Sequence, residues 1–292
     1  MLGSLEVAIL FAITSAATIF LILRRPYLRI RLLSRDIQVE TYFLGALLGP
    51  ILILCLGILT AGQIVEGIYG NAIESPLGIL ILFLSLVFLS IFLDITGFFE
   101  YTARIALKFA GRDGIRLFFA LYIIISLLTI VTSNDIIILT FTPFIYYFAR
   151  DAGINPRPYL FAEFFAANTW SMMLYIGNPT NILIATAFRL RFGDYTGWML
   201  LPTVVAGTVT AVLLFLIFRK EIKKPLPEYC GIDPRSAITD KAGAVLGLCL
   251  LFGCITALAV APYAGIEMWM VSLAFALTLL TILLLRDVYA TR

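Results

Sequence analysis

Histidine is absent from the 292-residue chain, and charged residues are scarce. Without histidine, the protein has no histidine metal site and no hydrolase site with a histidine base. Only 13% of the residues are charged, against about 25% in a soluble domain. The four cysteines form no CxxC pair, and no long basic run points to a nucleic-acid partner. What is present is apolar: 61% of residues are hydrophobic, which predicts an integral membrane protein.

Six long apolar runs are candidates for membrane-spanning helices, because a span needs roughly 20 mainly apolar residues. They cover residues 4–23, 41–61, 77–98, 197–218, 242–261 and 267–285. No basic segment precedes the first run and no small-residue cleavage site follows it, so we interpret it as a span rather than a signal peptide.

The stretch 115–149 is interrupted by a polar tetrad at 132–135. If it enters and leaves the membrane on one side, 19 of the 21 Lys and Arg residues lie in the cytoplasm, whereas a single crossing leaves 11 there. This count predicts a re-entrant hairpin, with the N-terminus outside and the C-terminus cytoplasmic. The next span, 158–188, is interrupted at 177–181 and is predicted to be a broken transmembrane helix.

Each interruption is predicted to start a new helix near the membrane centre. Ser133, Asn134 and Asp135 are residue types that favour helix N-caps, and Asn178 can cap a helix that begins with Pro179. Two such helix starts present partial positive charge and N–H groups, which suits an anion without Lys or Arg. Secondary transporters hold substrates and coupling ions at discontinuous helices of this kind. The alternative is a pair of structural kinks.

Acidic residues within a membrane are costly and usually functional. Asp135 is the first candidate for binding a coupling ion or proton, because water must reach the hairpin tip. Asp94 and Glu163 lie near the predicted cytoplasmic edge, where snorkelling or helix pairing competes with a functional role.

Three segments, in order, resemble arsenite permeases. Residues 93–99 resemble the LDxxGFF segment of that family, and 133–135 followed by Pro143 resemble its first hairpin motif. Residues 167–171, continuing to 177–181, resemble its second motif. The chain is therefore identified as a member of the ion transporter superfamily, which also holds citrate and dicarboxylate carriers and sodium/proton antiporters.

The resemblance implies an all-α polytopic helical bundle of the inverted-repeat type, working as an elevator-type secondary carrier in the inner membrane. Its substrate would be a small anion, either an arsenite- or antimonite-like oxyanion or a di- or tricarboxylate, coupled to H⁺ or Na⁺ with no other cofactor. The alternatives are a sodium/proton antiporter and a non-transporting half-transporter subunit. An enzyme is not expected.

The resemblance also implies which residues form the site. The substrate- and ion-binding residues are expected to be Ser133, Asn134, Asp135, Gly177, Asn178, Pro179, Thr180 and Asn181. Candidate Na⁺ ligands among them are Asn134, Asp135 and Asn181. Supporting positions are expected to be Asp94, Asn168, Thr169 and Ser171. Asp135 stands where sodium-coupled dicarboxylate carriers have Thr, which favours the arsenite or antiporter branches, whereas 177–179 is closer to the carboxylate carriers.

The domain organisation is expected to follow the repeats. Residues 1–218 would form the first repeat, with its hairpin at 115–149 and its broken helix at 158–188. Residues 219–241 would form a cytoplasmic linker, and 242–292 the first two spans of an incomplete second repeat. No second pair of breaks is present, so a second half-transporter polypeptide or a homo-oligomer is expected to complete the carrier. The former is favoured, because the two extra spans look like the start of a repeat.

Overall fold

The computed structural model describes residues 2–32, 35–69, 75–226 and 233–290. The chain divides into two compact units, Met1–Gly70 and Asn71–Arg292. The predicted all-α polytopic class is confirmed, since helices dominate both units. Six of the described helices are long and apolar enough to cross a membrane, at Leu5–Arg24, Pro76–Ile95, Gly114–Val131, Phe192–Ile222, Lys241–Ala264 and Met268–Val288.

The described residues of the first unit form three helices and a short β-hairpin. Its elements are α1 Leu2–Arg24, β1 Tyr27–Leu32, β2 Arg35–Glu40, α2 Tyr42–Cys55 and α3 Ala61–Tyr69. The strands are antiparallel, with Tyr27 opposite Glu40. Helices α1 and α2 approach closely, because a Cβ on Gly45 would lie 2.4 Å from the Oγ1 atom of Thr18. Small residues allow such approaches between membrane helices.

Helix α2 covers only part of the predicted span 41–61. It has 14 residues, about 21 Å at 1.5 Å per residue, which is shorter than the roughly 30 Å hydrocarbon layer. Gly57, at φ +65°, ends the helix in the left-handed conformation. The Ile58 N–H donates to the Ile53 carbonyl oxygen at 3.1 Å, as in a Schellman closure. Because the sequence around Gly57 is uniformly apolar, it did not indicate that the helix ends here.

The second unit is a bundle of nine described α-helices with two 3₁₀ turns. The helices are α4 Pro76–Ile95, α5 Phe98–Ala110, α6 Gly114–Val131, α7 Asn134–Asp151, α8 Arg157–Trp170, α9 Pro179–Ala187, α10 Phe192–Ile222, α11 Lys241–Val260 and α12 Met268–Ala290. The 3₁₀ turns are Pro234–Ala237 and Ala261–Ala264. Helix α6 packs on α5 and α8, α10 packs on α8, and α4 packs on α11 and α12. Leu, Ile and Phe side chains fill the core between them.

Polar side chains cap several of these helices. The Asp113 carboxylate accepts from the Ile115 N–H at 2.8 Å and begins α6. Asp240 begins α11 by accepting from the Gly243 N–H at 2.8 Å, and it also pairs with Arg286 of α12 at 2.8 Å. The Gly243 N–H, followed by the Arg286 guanidinium, holds the pKa of Asp240 below its ordinary value.

Helices α6 and α7 form a hairpin whose two ends meet the same end of α10. At the start of α6, a Cβ on Gly114 would lie 2.4 Å from the Ile222 carbonyl oxygen. The Leu226 N–H donates to the Arg112 carbonyl oxygen at 2.9 Å. After α7, the Asn155 side-chain amide donates to the Glu221 carboxylate. The chain therefore returns to its starting end after the polar tetrad, as the re-entrant hairpin requires.

Candidate functional site

The hairpin tip is the N-terminus of α7. Ser133 is the N-cap, and its hydroxyl accepts from the Asp135 N–H at 3.3 Å. Ser133 and Asn134 are buried, whereas Asp135 is exposed. The polar tetrad thus begins a helix and leaves its carboxylate accessible.

The second break is the segment between α8 and α9. Asn178 caps α9 by accepting from the Thr180 N–H at 2.9 Å, and Pro179 is the first helical residue. Helix α8 ends at Trp170, so the break begins at Ser171, six residues before the predicted position. The loop folds back on itself, because a Cβ on Gly177 would lie 2.3 Å from the Ser171 carbonyl oxygen.

Asn181 anchors this loop from the first turn of α9. It is 7% exposed, and its side-chain N–H groups donate to the Ser171 carbonyl oxygen at 2.8 Å and the Leu174 carbonyl oxygen at 3.1 Å. Thr180, one position earlier, is exposed. Asn181 therefore holds the backbone of the break, while Thr180 lies on its open side.

The two breaks contact each other through Asn134. Its backbone N–H donates to the Gly177 carbonyl oxygen at 3.4 Å. Its side-chain amide donates to the Asn168 Oδ1 atom at 3.2 Å. The Asn168 side-chain amide in turn donates to the Phe164 carbonyl oxygen at 2.8 Å. The backbone carbonyl oxygen of Asn168 accepts from the Ser171 hydroxyl at 3.0 Å. The hairpin tip and the broken helix thus form one polar cluster.

One atom of this cluster has no hydrogen-bond partner among the described residues. The Asn134 Oδ1 atom is buried, and the residue as a whole is 5% exposed. Leaving a buried amide oxygen unpaired costs about 1–3 kcal/mol, so such an atom calls for an explanation. An amide oxygen is an acceptor, and it therefore suits a cation or a hydrogen-bond donor on a ligand.

Two helix N-termini and one carboxylate contribute charge to the cluster. Each carries a partial charge of about +0.5, and the caps Ser133 and Asn178 are neutral. No Lys or Arg occurs within 117–149 or 158–188. Asp135 supplies the negative charge at the tip.

The family of the chain follows from comparison with known proteins. The CitMHS citrate transporter model matches residues 40–291. The chain belongs to this family. The resemblance to the arsenite permease and citrate transporter branch is thereby confirmed.

Curated relatives of this citrate transporter family member include bacterial membrane proteins. The arsenical pump membrane protein of Escherichia coli strain K12 is 30% identical over 218 residues, covering 72% of this chain and 49% of that protein. The 46 kDa membrane protein of Mycobacterium leprae strain TN is 26% identical over 211 residues, covering 70% and 48%. The chain thus spans about half the length of the curated relatives it matches. Together with the six apolar helices, these similarities identify a multi-pass membrane protein of a transporter family.

Asp94 lies outside the polar cluster of this citrate transporter family member. Its carboxylate accepts from the Thr140 hydroxyl at 2.9 Å. It lines a separate cavity of about 590 Å³ together with Glu100 and Asp151. None of the described break residues lines that cavity.

The remaining acid and the supporting position Thr169 have structural surroundings. Glu163 is 1% exposed, and its carboxyl group accepts from the Thr142 hydroxyl at 2.8 Å. Burial excludes snorkelling, and the bond from Thr142 joins α8 to α7, as the helix-pairing alternative expects. Thr169 is half-buried at the end of α8, and its carbonyl oxygen accepts from the Met172 N–H at 3.4 Å.

Several residues that brace the second break were not predicted from the sequence. The Tyr175 hydroxyl bonds the Thr186 hydroxyl at 2.7 Å, which ties the loop to α9. The Tyr195 hydroxyl donates to the Met172 carbonyl oxygen at 3.1 Å, which ties it to α10. A buried tyrosine hydroxyl needs a partner. That rule signals a bond for each tyrosine, but it does not name the partner.

Proposed function

We propose that the chain supplies a substrate site of a secondary active carrier for small anions, coupled to H⁺ or Na⁺. The substrate classes are arsenite- or antimonite-like oxyanions and di- or tricarboxylates. The observation that carries the proposal is the contact between the two breaks, where Asn134 bonds Gly177 and Asn168 while its own Oδ1 atom stays unpaired.

The anion is held by the two helix starts. The starts of α7 and α9 bring their partial positive charges to one cluster, and their neutral caps leave that charge in place. In a low-dielectric surrounding such a charge acts more strongly than it does in water. An oxyanion or a carboxylate therefore binds there without a Lys or Arg side chain.

Asp135 supplies the coupling. Its full negative charge in the first turn of α7 exceeds the partial charge of about +0.5 at that helix start, so an ionised Asp135 repels an incoming anion. A bound H⁺ or Na⁺ removes the repulsion. The cation therefore binds first and the anion second, which links the two fluxes.

The candidate Na⁺ ligands are oxygen atoms of Asn134, Asp135 and Asn181. Carboxylate and amide oxygens are the ligands that hard cations prefer. The unpaired Oδ1 atom of Asn134 fits this role, because a cation would satisfy it.

Flux measurements in proteoliposomes test the site. The chain is reconstituted alone and with a candidate second half, and uptake of arsenite and citrate is compared under imposed proton and sodium gradients. Asn134→Ala and Asn181→Ala are expected to abolish flux, whereas the matched control Gln63→Ala, which removes an exposed amide in the first unit, keeps it. The proposal is wrong if no reconstitution transports either anion, or if all three variants transport like the parent.

A variant of Asp135 tests the coupling separately. Asp135→Asn mimics the neutralised carboxyl group, so it is expected to keep exchange of labelled anion across the membrane but to lose gradient-driven accumulation. Accumulation at the parent level in Asp135→Asn would exclude Asp135 as the coupling residue.

A sodium/proton antiporter of the same superfamily is the second candidate. The exposed carboxylate of Asp135 and the unpaired oxygen of the preceding residue, Asn134, favour it, because both groups suit cations without any anion. Sodium-driven proton movement in the absence of arsenite and carboxylates would establish the antiporter in place of the anion carrier.

We also propose that a second half-transporter polypeptide or a second copy of this chain completes the carrier. Mass determination of the purified protein in nanodiscs separates the two alternatives. A second copy of the chain gives the mass of a homo-oligomer, whereas a different half-transporter polypeptide leaves this chain monomeric when it is purified alone.

A further inference from the structure

A cavity of about 320 Å³ lies at the N-terminal end of α10. The hairpin base, where α6 begins and α7 ends, contacts the C-terminal end of the same helix. Arg191, immediately before α10, lines the cavity, whereas the base contacts Glu221, at the other end of this 31-residue helix. At 1.5 Å per residue the two ends are about 45 Å apart. The cavity is therefore separate from the hairpin base, and its volume is in the range of small-molecule pockets.

Two arginines give the cavity a positive charge. Arg189 and Arg191 line it together with Glu267, whose carboxylate accepts from the Trp269 indole N–H. The Arg191 guanidinium lies over the Tyr263 ring, 5.4 Å from its centroid. These arginines are also the two basic residues that the charge count assigns to the side opposite the other 19.

Arg189 occupies a backbone position that normally belongs to glycine. It is the described non-glycine residue with positive φ, at 53°, and it follows the end of α9. The Leu190 N–H closes the helix on the Ala185 carbonyl oxygen at 2.8 Å. A side chain in this conformation costs about 1–2 kcal/mol, and such strain is concentrated at functional sites. The arginine side chain at the cavity offers a reason for it.

Apolar side chains also line the cavity. Ile79 and Leu82 of α4 face it, and the Trp269 indole packs against α4 at Gly78. A Cβ on Gly78 would lie 2.9 Å from the Trp269 Cδ1 atom, so the glycine makes room for the ring. A ligand here meets two guanidinium groups together with an aromatic and aliphatic surface.

We infer that this cavity binds a small amphipathic organic anion, with its acidic group at Arg189 and Arg191 and its apolar body against Leu82 and Trp269. Tyr175, which lies in the second break, also lines the cavity. The bound anion therefore bridges the broken helix to α4 and α12. The acidic group belongs either to a soluble aryl or alkyl carboxylate or to an anionic lipid.

Trp269 makes the inference measurable by fluorescence. The purified full chain in phosphatidylcholine nanodiscs is titrated with 4-(4-iodophenyl)butyrate, whose iodine quenches a nearby indole. We expect saturable quenching that is absent in Trp269→Phe. Unlabelled phenylbutyrate is expected to reverse it, whereas the neutral 4-phenylbutanol does not. Reversal by the alcohol at equal concentration, or quenching that never saturates, would overturn the proposal.

Arginine variants locate the acidic group. Arg189→Gln and Arg191→Gln are each expected to raise the ligand concentration at half-saturation tenfold or more, since each removes a charge-assisted hydrogen bond. Arg157→Gln removes an equal charge outside the cavity and should bind like the parent. Asn134→Ala should also bind like the parent, which separates this site from the proposed transport site. Equal half-saturation in all four variants and the parent contradicts the assignment.

A lipid arm distinguishes the two sources of the anion. Nanodiscs with phosphatidylglycerol brominated in its acyl chains are compared with nanodiscs of equally brominated phosphatidylcholine, without the iodinated probe. Stronger quenching of Trp269 by phosphatidylglycerol, lost in Arg191→Gln, identifies a lipid occupant. Equal quenching by both lipids, with saturable binding of the carboxylate, identifies a soluble one.

Discussion

Gly177→Ala tests whether the folded-back loop of the second break is needed for the fold. The added Cβ would lie 2.3 Å from the Ser171 carbonyl oxygen and 3.0 Å from its carbonyl carbon. An ordinary carbon–oxygen contact is about 3.3 Å, so the two backbone segments must separate by about 1 Å. Both contacts are with backbone atoms, so no side-chain rotation relieves them.

Two hydrogen bonds are lost or stretched by this separation. The Ser171 carbonyl oxygen accepts from Asn181, and the Gly177 carbonyl oxygen accepts from the Asn134 N–H. Overpacking costs about 1–3 kcal/mol, and a weakened hydrogen bond adds about 1 kcal/mol. We expect the free energy of unfolding to fall by about 2–4 kcal/mol. At about 2–4 °C per kcal/mol, the melting temperature should drop by about 4–16 °C.

Thermal unfolding of the purified protein in detergent, followed by thiol labelling, measures this change, because Cys254 is buried. Gly197→Ala is the matched control, since a Cβ there meets nothing within 4 Å in α10. Alanine favours the helix, so its melting temperature should stay equal or rise. If Gly177→Ala has the same melting temperature as the parent, the close packing of Gly177 on Ser171 is not needed for the fold.

Three further predictions concern other parts of the second unit. Thr142→Val removes the hydroxyl donor to the buried Glu163 and should lower the free energy of unfolding by about 1–3 kcal/mol, an effect that a Glu163→Leu background should abolish. Because the folded-state pKa of Asp240 is lowered, its contribution to stability is present above its unfolded pKa of about 4 and is lost as the pH falls through the folded pKa. Asp240→Asn should therefore flatten the acid side of a melting-temperature profile, and an unchanged profile would contradict this. Arg112→Cys and Gly153→Cys, in a cysteine-free background, should react with an impermeant reagent from the same side of the membrane, and labelling from opposite sides would refute the hairpin.

The helix starts at both breaks could be predicted from the sequence because capping is local. Ser133 and Asn178 cap the helices that follow them, as their residue types indicate. The extent of the second break could not be predicted in this way. Residues 171–176 are mostly apolar and read as a continuing helix, whereas the fold holds them open through Gly177 and Asn181. Those contacts are tertiary.

The pairing within the polar cluster was also beyond the sequence. The residue types of Asn134 and Asn168 marked both as candidates, but their hydrogen bond joins positions on different helices. The β-hairpin before α2 was not predicted either. For the pair Asn134 and Asn168, distant parts of the chain decide which side chains meet.

The hairpin of α6 and α7 is held at both ends. Contacts with the end of α10 hold its base, and Asn134 holds its tip through bonds to Gly177 at 3.4 Å and to Asn168 at 3.2 Å. Pro143 lies inside α7 and lacks an N–H, which removes one hydrogen bond of that helix and favours a kink. A movement of the hairpin tip relative to its base would therefore bend α7 at Pro143. The bending stiffness of the helix turn around Pro143 would then limit how far the tip moves away from the second break.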